Sequence, residues 1–114
     1  MSMMDWNAYR TQVLAGVGEI GKMTPGTVKG YVGLSSAGEA KNLLGPKVRE
    51  LIALAAAVTL RCDGCISVHT KAAAKAGASE DEIAEALGVA IALNAGAALV
   101  YSTRTFDAFR ALED

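Results

Sequence analysis

Residues 45–69 read GPKVRELIALAAAVTLRCDGCISVH, and the fold turns on this stretch. Gly45-Pro46 opens a helix, because proline is tolerated in a first helical turn where its missing N–H would be unpaired anyway. From Leu51 to Leu60 the residues are apolar on every side apart from Thr59, the pattern of a central buried helix. Arg61-Cys62-Asp63-Gly64-Cys65 follows, with Gly64 as the expected interruption. Cys65 to Ala76 then reads as another helix, stopped by Gly77 in the usual position just past a helix end.

Downstream, Ser79-Glu80-Asp81-Glu82 is a capping box, in which a Ser hydroxyl and a Glu three residues later satisfy open backbone donors reciprocally. It starts a helix through Ile83, Leu87, Ala90 and Ile91. Asn94-Ala95-Gly96 is expected to break that helix, leaving a last one from Ala97 toward Leu112. Upstream, Trp6, Tyr9, Val13, Val17 and Ile20 stand at helical spacing and predict a helix over 6–23, ended by Thr24-Pro25-Gly26. Between Thr27 and Ala40, Val28, Tyr31, Val32 and Leu34 suggest a short helix that Gly30, Gly33 and Gly38 weaken. The expectation is an all-α fold, a single domain over 1–114, with five or six helices around a thin Ala/Gly-rich core.

Composition agrees with this reading. Twenty-two of the 114 residues are alanine, two are proline and aromatics are 5%, which favours helix over sheet. The apolar share of 52% belongs to a packed chain rather than a disordered one. Eleven Lys/Arg against twelve Asp/Glu leave a net charge of −1 and no basic cluster, which argues against nucleic acid and anionic membrane surfaces as partners. The start, MSMMDWNAYR, lacks the continuous apolar run of a signal peptide. The apolar stretches Leu51–Leu60 and Ala86–Tyr101 both fall short of the roughly 20 residues that span a bilayer, so a cytoplasmic protein is expected. So much apolar sequence on so short a chain also predicts a homo-oligomer joined by helix–helix contacts.

Two cysteines in a reducing compartment make a poor structural staple, and their spacing asks for another explanation. Cys62 and Cys65 form a C-x-x-C, and the single histidine, His69, follows four residues later. On helical geometry positions 62, 65 and 69 lie within about 60° of one another around the axis, so two sulfurs and an imidazole would share one face. A helix N-terminus stabilises a thiolate, and an imidazole one turn away can accept the thiol proton. Buried cysteines are also common as small hydrophobes, and a lone histidine is more often structural; the joint spacing is what favours chemistry. A closed zinc site needs four ligands, which only a mixed set of Cys62, Cys65, His69 and Glu50 could supply. Glu50 alone reads as an acidic residue near a helix start. If its helix packs against the Cys65–Ala76 helix, its carboxylate would face the imidazole, orient the ring, fix its tautomer and raise its basicity.

The run Lys47-Val48-Arg49-Glu50-Leu51-Ile52, then Cys62-x-x-Cys65-x-x-x-His69, then Ala76-Gly77-Ala78-Ser79-x-x-Glu82-Ile83-x-Glu85-Ala86-Leu87, resembles the carboxymuconolactone decarboxylase family, and within it the alkyl hydroperoxidase D-like branch. The likeness covers about residues 43–104. It implies an all-helical fold assembling as a trimer or hexamer, and a redox dithiol that reduces peroxides or shuttles electrons. By motif, Cys65 corresponds to the thiol attacking peroxide, Cys62 to the resolving thiol, and His69 and Glu50 to the proton relay. Family members acting as lactone decarboxylases lack the cysteine pair, so keeping both points away from that activity. Some relatives of this type carry a second histidine between the cysteines, where this chain has Asp63 and Gly64. No flavin, haem or nicotinamide motif is visible, so the resemblance calls for no cofactor and for electrons from an external dithiol, a protein or a lipoyl-type group. Two rival expectations stand beside this one: decarboxylase-type chemistry on a small organic acid, and a non-catalytic redox sensor or assembly protein.

Overall fold

Several of the caps and stop signals in the sequence stand at helix ends. The computed structural model describes residues 2–112 and is all-α, with no strand among the described residues. Its helices are α1 (Trp6–Met23), α2 (Pro25–Ser36), α3 (Gly45–Leu60), α4 (Asp63–Lys75) and α5 (Glu80–Arg110), with a 3-10 turn over Ala37–Ala40 after α2. Asp5 caps α1 by accepting from the Ala8 N–H at 3.0 Å, and Pro25 sits in the first turn of α2. Gly77, at φ +89°, ends α4 in a Schellman turn: Ala78 N–H donates to the Ala73 carbonyl and Gly77 N–H to that of Ala74.

The capping box at the head of α5 is complete. Glu82 N–H donates to Ser79 Oγ at 3.1 Å and Ser79 N–H donates to Glu82 Oε1 at 2.9 Å. Glu82 Oε2 also meets Lys47 Nζ at 2.7 Å, tying the first turn of α5 to the first turn of α3. The Lys47 ammonium, then the Ser79 N–H, hold the Glu82 carboxyl below its ordinary range. Because the folded form titrates lower, this contribution is present above the unfolded value and is lost as pH falls through the folded one. Ser79→Ala is expected to lower the unfolding free energy by about 1 kcal/mol in urea titrations at pH 7. Glu82→Gln should be less stable than wild type at neutral pH and converge on it in acid.

The sequence places the break before α4 at Gly64, but the structure puts it at Arg61. That residue adopts the left-handed conformation (φ 54°, ψ 51°) after α3, while α4 already runs through Gly64. A side chain there costs roughly 1–2 kcal/mol, which two turn hydrogen bonds offset, from Cys62 N–H to the Ala57 carbonyl and from Arg61 N–H to that of Val58. The expected break at Asn94-Ala95-Gly96 is absent, and α5 is one helix of 31 residues. Asn94 Nδ2 donates back to the Ala90 carbonyl at 2.7 Å and across to Thr59 Oγ1 at 2.9 Å. One internal Gly costs only about 1 kcal/mol, and the flanking alanines are the strongest helix formers.

Helix α3 lies centrally and packs on α4 and α5; α4 packs on α1, and α1 on α2. The result is a row of helices rather than a closed bundle, 59 × 38 × 38 Å in extent. Among the described residues only Leu54, Ala57, Ala73, Ala90 and Ser67 are buried. Contrary to the apolar-all-round reading, α3 buries one stripe and leaves Ile52 and Leu60 exposed. From Ile91 onward every described residue except Gly96 is exposed. By length and composition α5 is apolar enough to cross a membrane, although the apolar run Ala86–Tyr101 by itself falls short of a span.

Candidate active site

The turn between α3 and α4 fixes Cys62 from both sides. Its N–H closes the end of α3, and its extended backbone (φ −105°, ψ 99°) makes it the N-cap of α4. Its Sγ accepts from the Cys65 N–H at 3.1 Å, so the sulfur lies at the electropositive end of α4. Cys62 therefore stands outside the helical projection that put 62, 65 and 69 on one face. It nonetheless reaches Cys65: the two residues are disulfide-bonded, with their Cα atoms 5.2 Å apart. Both cysteines are half-buried, and Asp63 in the first turn of α4 is exposed.

His69 lies one turn beyond Cys65 on α4, at the i, i+4 spacing where helix side chains adjoin. Glu50 projects from α3 onto the same imidazole. His69 Nδ1–H donates to Glu50 Oε2 at 2.6 Å, with the two side chains about a quarter exposed. A carboxylate accepts only, so this bond places the neutral ring's proton on Nδ1 and leaves the Nε2 lone pair free. The packing of α3 on α4 thus brings together Glu50 and His69, nineteen residues apart, with His69 one helical turn along α4 from Cys65. Among the described residues no three His, Cys, Asp or Glu side chains converge as metal ligands.

An apolar groove lies elsewhere, between α3 and α5, lined by residues including Ile52, Ala56, Leu60, Val89 and Leu93. At 100° per residue the lining positions Ile52, Ala55, Ala56 and Thr59 fall on the side of α3 away from Glu50. The groove is therefore not the wall of the cysteine site.

Sequence reasoning missed the contacts from α1. Arg10 Nε donates to the Ser67 carbonyl on α4, and Ser67, fully buried, donates its hydroxyl to the Gly64 carbonyl at 2.8 Å. Val13 packs over Gly64, its methyls 3.5 and 3.8 Å from where a Cβ would stand. Arg10 and Ser67 are 57 positions apart, and no local pattern links them.

The family model for carboxymuconolactone decarboxylases matches residues 25–113. The chain belongs to the carboxymuconolactone decarboxylase family. This family member is 51% identical over 105 residues to an uncharacterized protein of Haemophilus influenzae, covering 92% of this chain and 93% of that one. It is 30% identical over 108 residues to an uncharacterized protein of Cupriavidus necator, covering 95% and 96%. It is 32% identical over 90 residues to uncharacterized protein 4 in the cox locus of Paracoccus denitrificans, covering 79% and 81%. The cysteine pair, Glu50 and His69 fall within the family match; α1 precedes it.

Proposed function

We propose that the chain is a dithiol oxidoreductase of the alkyl hydroperoxidase D-like kind, reducing alkyl or hydrogen peroxides through Cys65 and Cys62. The observation that carries this reading is the Cys62–Cys65 disulfide at the head of α4 with the Glu50–His69 pair one turn away. In the reduced protein, His69 Nε2 takes the Cys65 proton while Glu50 holds the ring and stabilises the imidazolium. The thiolate attacks the peroxide O–O bond, leaving a sulfenic acid on Cys65 and releasing an alcohol, or water from hydrogen peroxide. Cys62 condenses with the sulfenic acid, expelling water and forming the disulfide before further oxidation. An external dithiol, protein or lipoyl-type, then reduces the disulfide by exchange and is itself oxidised. Each turnover converts one peroxide and one dithiol to one alcohol, one water and one disulfide. The setting is a reducing cytoplasm, where such dithiols are maintained.

With dithiothreitol as reductant, peroxide and dithiol should be consumed one for one over many turnovers. A protein that forms its disulfide once and then stops would be a redox sensor, and the catalytic reading would fall.

The working unit under this proposal is a homo-oligomer, a trimer or hexamer. The chain exposes 8999 Å². A compact 11.7 kDa monomer exposes about 5,900 Å² by size scaling. The excess is several times the roughly 800 Å² each partner buries in a standard interface. The radius of gyration of 18.7 Å against about 13 Å for a compact chain supports the same conclusion. Leu99, Phe106 and Phe109 on the outer half of α5, with the α3–α5 groove, are the surfaces that other copies would cover. Because Arg104, Asp107 and Arg110 share that outer half, protein neighbours suit it better than lipid. Sedimentation at micromolar concentration should show three or six subunits; a stable monomer would refute the assembly, and a dimer would refute its number.

A further inference from the structure

The turn of α4 that carries the thiols also holds the helix's one glycine. Gly64 stands between the cysteines, inside the first turn, where glycine is among the least favourable helix formers. That turn is braced from behind by α1. Val13 lies against Gly64, its methyls at ordinary contact distance from where a Cβ would stand. Ser67 Oγ donates to the Gly64 carbonyl, and the Arg10 guanidinium, itself steadied by an Nη1–H bond to Asn7 Oδ1 at 3.0 Å, donates to the Ser67 carbonyl. The chain of contacts runs from α1 through Ser67 to the carbonyl of the residue preceding Cys65. Positions 64 and 67 lie on the side of α4 turned away from 65 and 69, so the brace supports the thiols without covering them.

We infer that Arg10 is a positioning residue for the dithiol, holding the Cys62–Cys65 turn at bonding separation from a helix that precedes the family match. This rests on the thiol-redox reading above. A disulfide is favoured over its dithiol to the extent that the two sulfurs are already held together; a frayed turn lowers their effective concentration. The brace therefore stabilises the disulfide relative to the dithiol, beyond what it does for folding.

The test is a glutathione titration of the full-length protein, in which dithiol plus oxidised glutathione exchanges with disulfide plus two reduced glutathiones. Species are counted by mass spectrometry after acid quench and alkylation, and melting temperature is recorded alongside. Arg10→Met, which keeps the apolar stem, should shift the equilibrium toward dithiol by roughly five- to tenfold, about the net scale of one hydrogen bond. Arg10→Lys, which keeps a charged donor, should stay within about twofold of wild type; a shift as large as that of Arg10→Met would overturn the role given to the hydrogen bond. Folded Arg10→Met protein within twofold of wild type would overturn the inference, whatever its melting temperature. If Arg10→Met does not fold, Val13→Ala decides by the same criterion, with a smaller shift in the same direction expected. Wild-type protein that forms no Cys62–Cys65 disulfide at any glutathione ratio would overturn the redox reading itself, an outcome read without any variant.

Discussion

Cys65→Ser protein is expected to consume no peroxide above the uncatalysed rate, and after peroxide treatment its Cys62 should take up little dimedone. Cys62→Ser protein should instead accumulate sulfenic acid on Cys65, trappable with dimedone, and stop after one turnover. The asymmetry follows from position. Cys65 adjoins His69 at i, i+4, within a helix whose side chains meet at that spacing. Cys62 is the N-cap, outside the helix, held by its N–H to α3 and by its sulfur to the Cys65 N–H. Its place at the helix N-terminus suits it to leave as a thiolate when an external dithiol opens the disulfide. Labelling of Cys62 in Cys65→Ser and not of Cys65 in Cys62→Ser would reverse the two roles.

His69→Gln is expected to slow Cys65 alkylation by iodoacetamide near neutral pH by at least tenfold and peroxide reduction by about a hundredfold, the lower range for a lost general base. Gln can still bond Glu50 but cannot take a proton, so the effect isolates proton transfer from packing. Glu50→Gln should act in the same direction and less strongly, because the imidazole remains and only its anionic partner at 2.6 Å is neutralised. Both deficits should shrink as pH rises toward 9, where the thiol ionises without help. Wild-type alkylation rates for both variants across pH 6–9 would mean that no relay operates.

The legible parts of the fold were those written in local chemistry. Pro25, Pro46, Gly77 and the Ser79–Glu82 box each act within four residues, and each marks a helix end in the structure. Arg61 carried no such mark: its left-handed backbone is fixed by hydrogen bonds to α3, and any glycine rule looks instead to Gly64. The continuity of α5 was misread because Asn94 and Gly96 look like breakers in isolation. Asn94 is satisfied by the Ala90 carbonyl one turn back and by Thr59 on the neighbouring helix, the latter a tertiary bond that a one-dimensional pattern cannot display. The same limit applies at the site. Spacing alone suggested that Cys62, Cys65 and His69 belong together, and a conditional packing argument brought Glu50 to the ring. Val13 stands on the apolar face read for α1, but nothing in the sequence says that this face, or Arg10, reaches the thiol turn.

The central claim is that the two cysteines work as a pair that peroxide oxidises to one disulfide. Fully reduced protein is mixed anaerobically with one equivalent of a small alkyl hydroperoxide, and free thiols and intact mass are measured within seconds to minutes. The account predicts that two thiols per chain disappear, that the mass falls by two hydrogens, and that peptide mapping finds Cys62 joined to Cys65. Two free thiols and an unchanged mass with the hydroperoxide still present would contradict it.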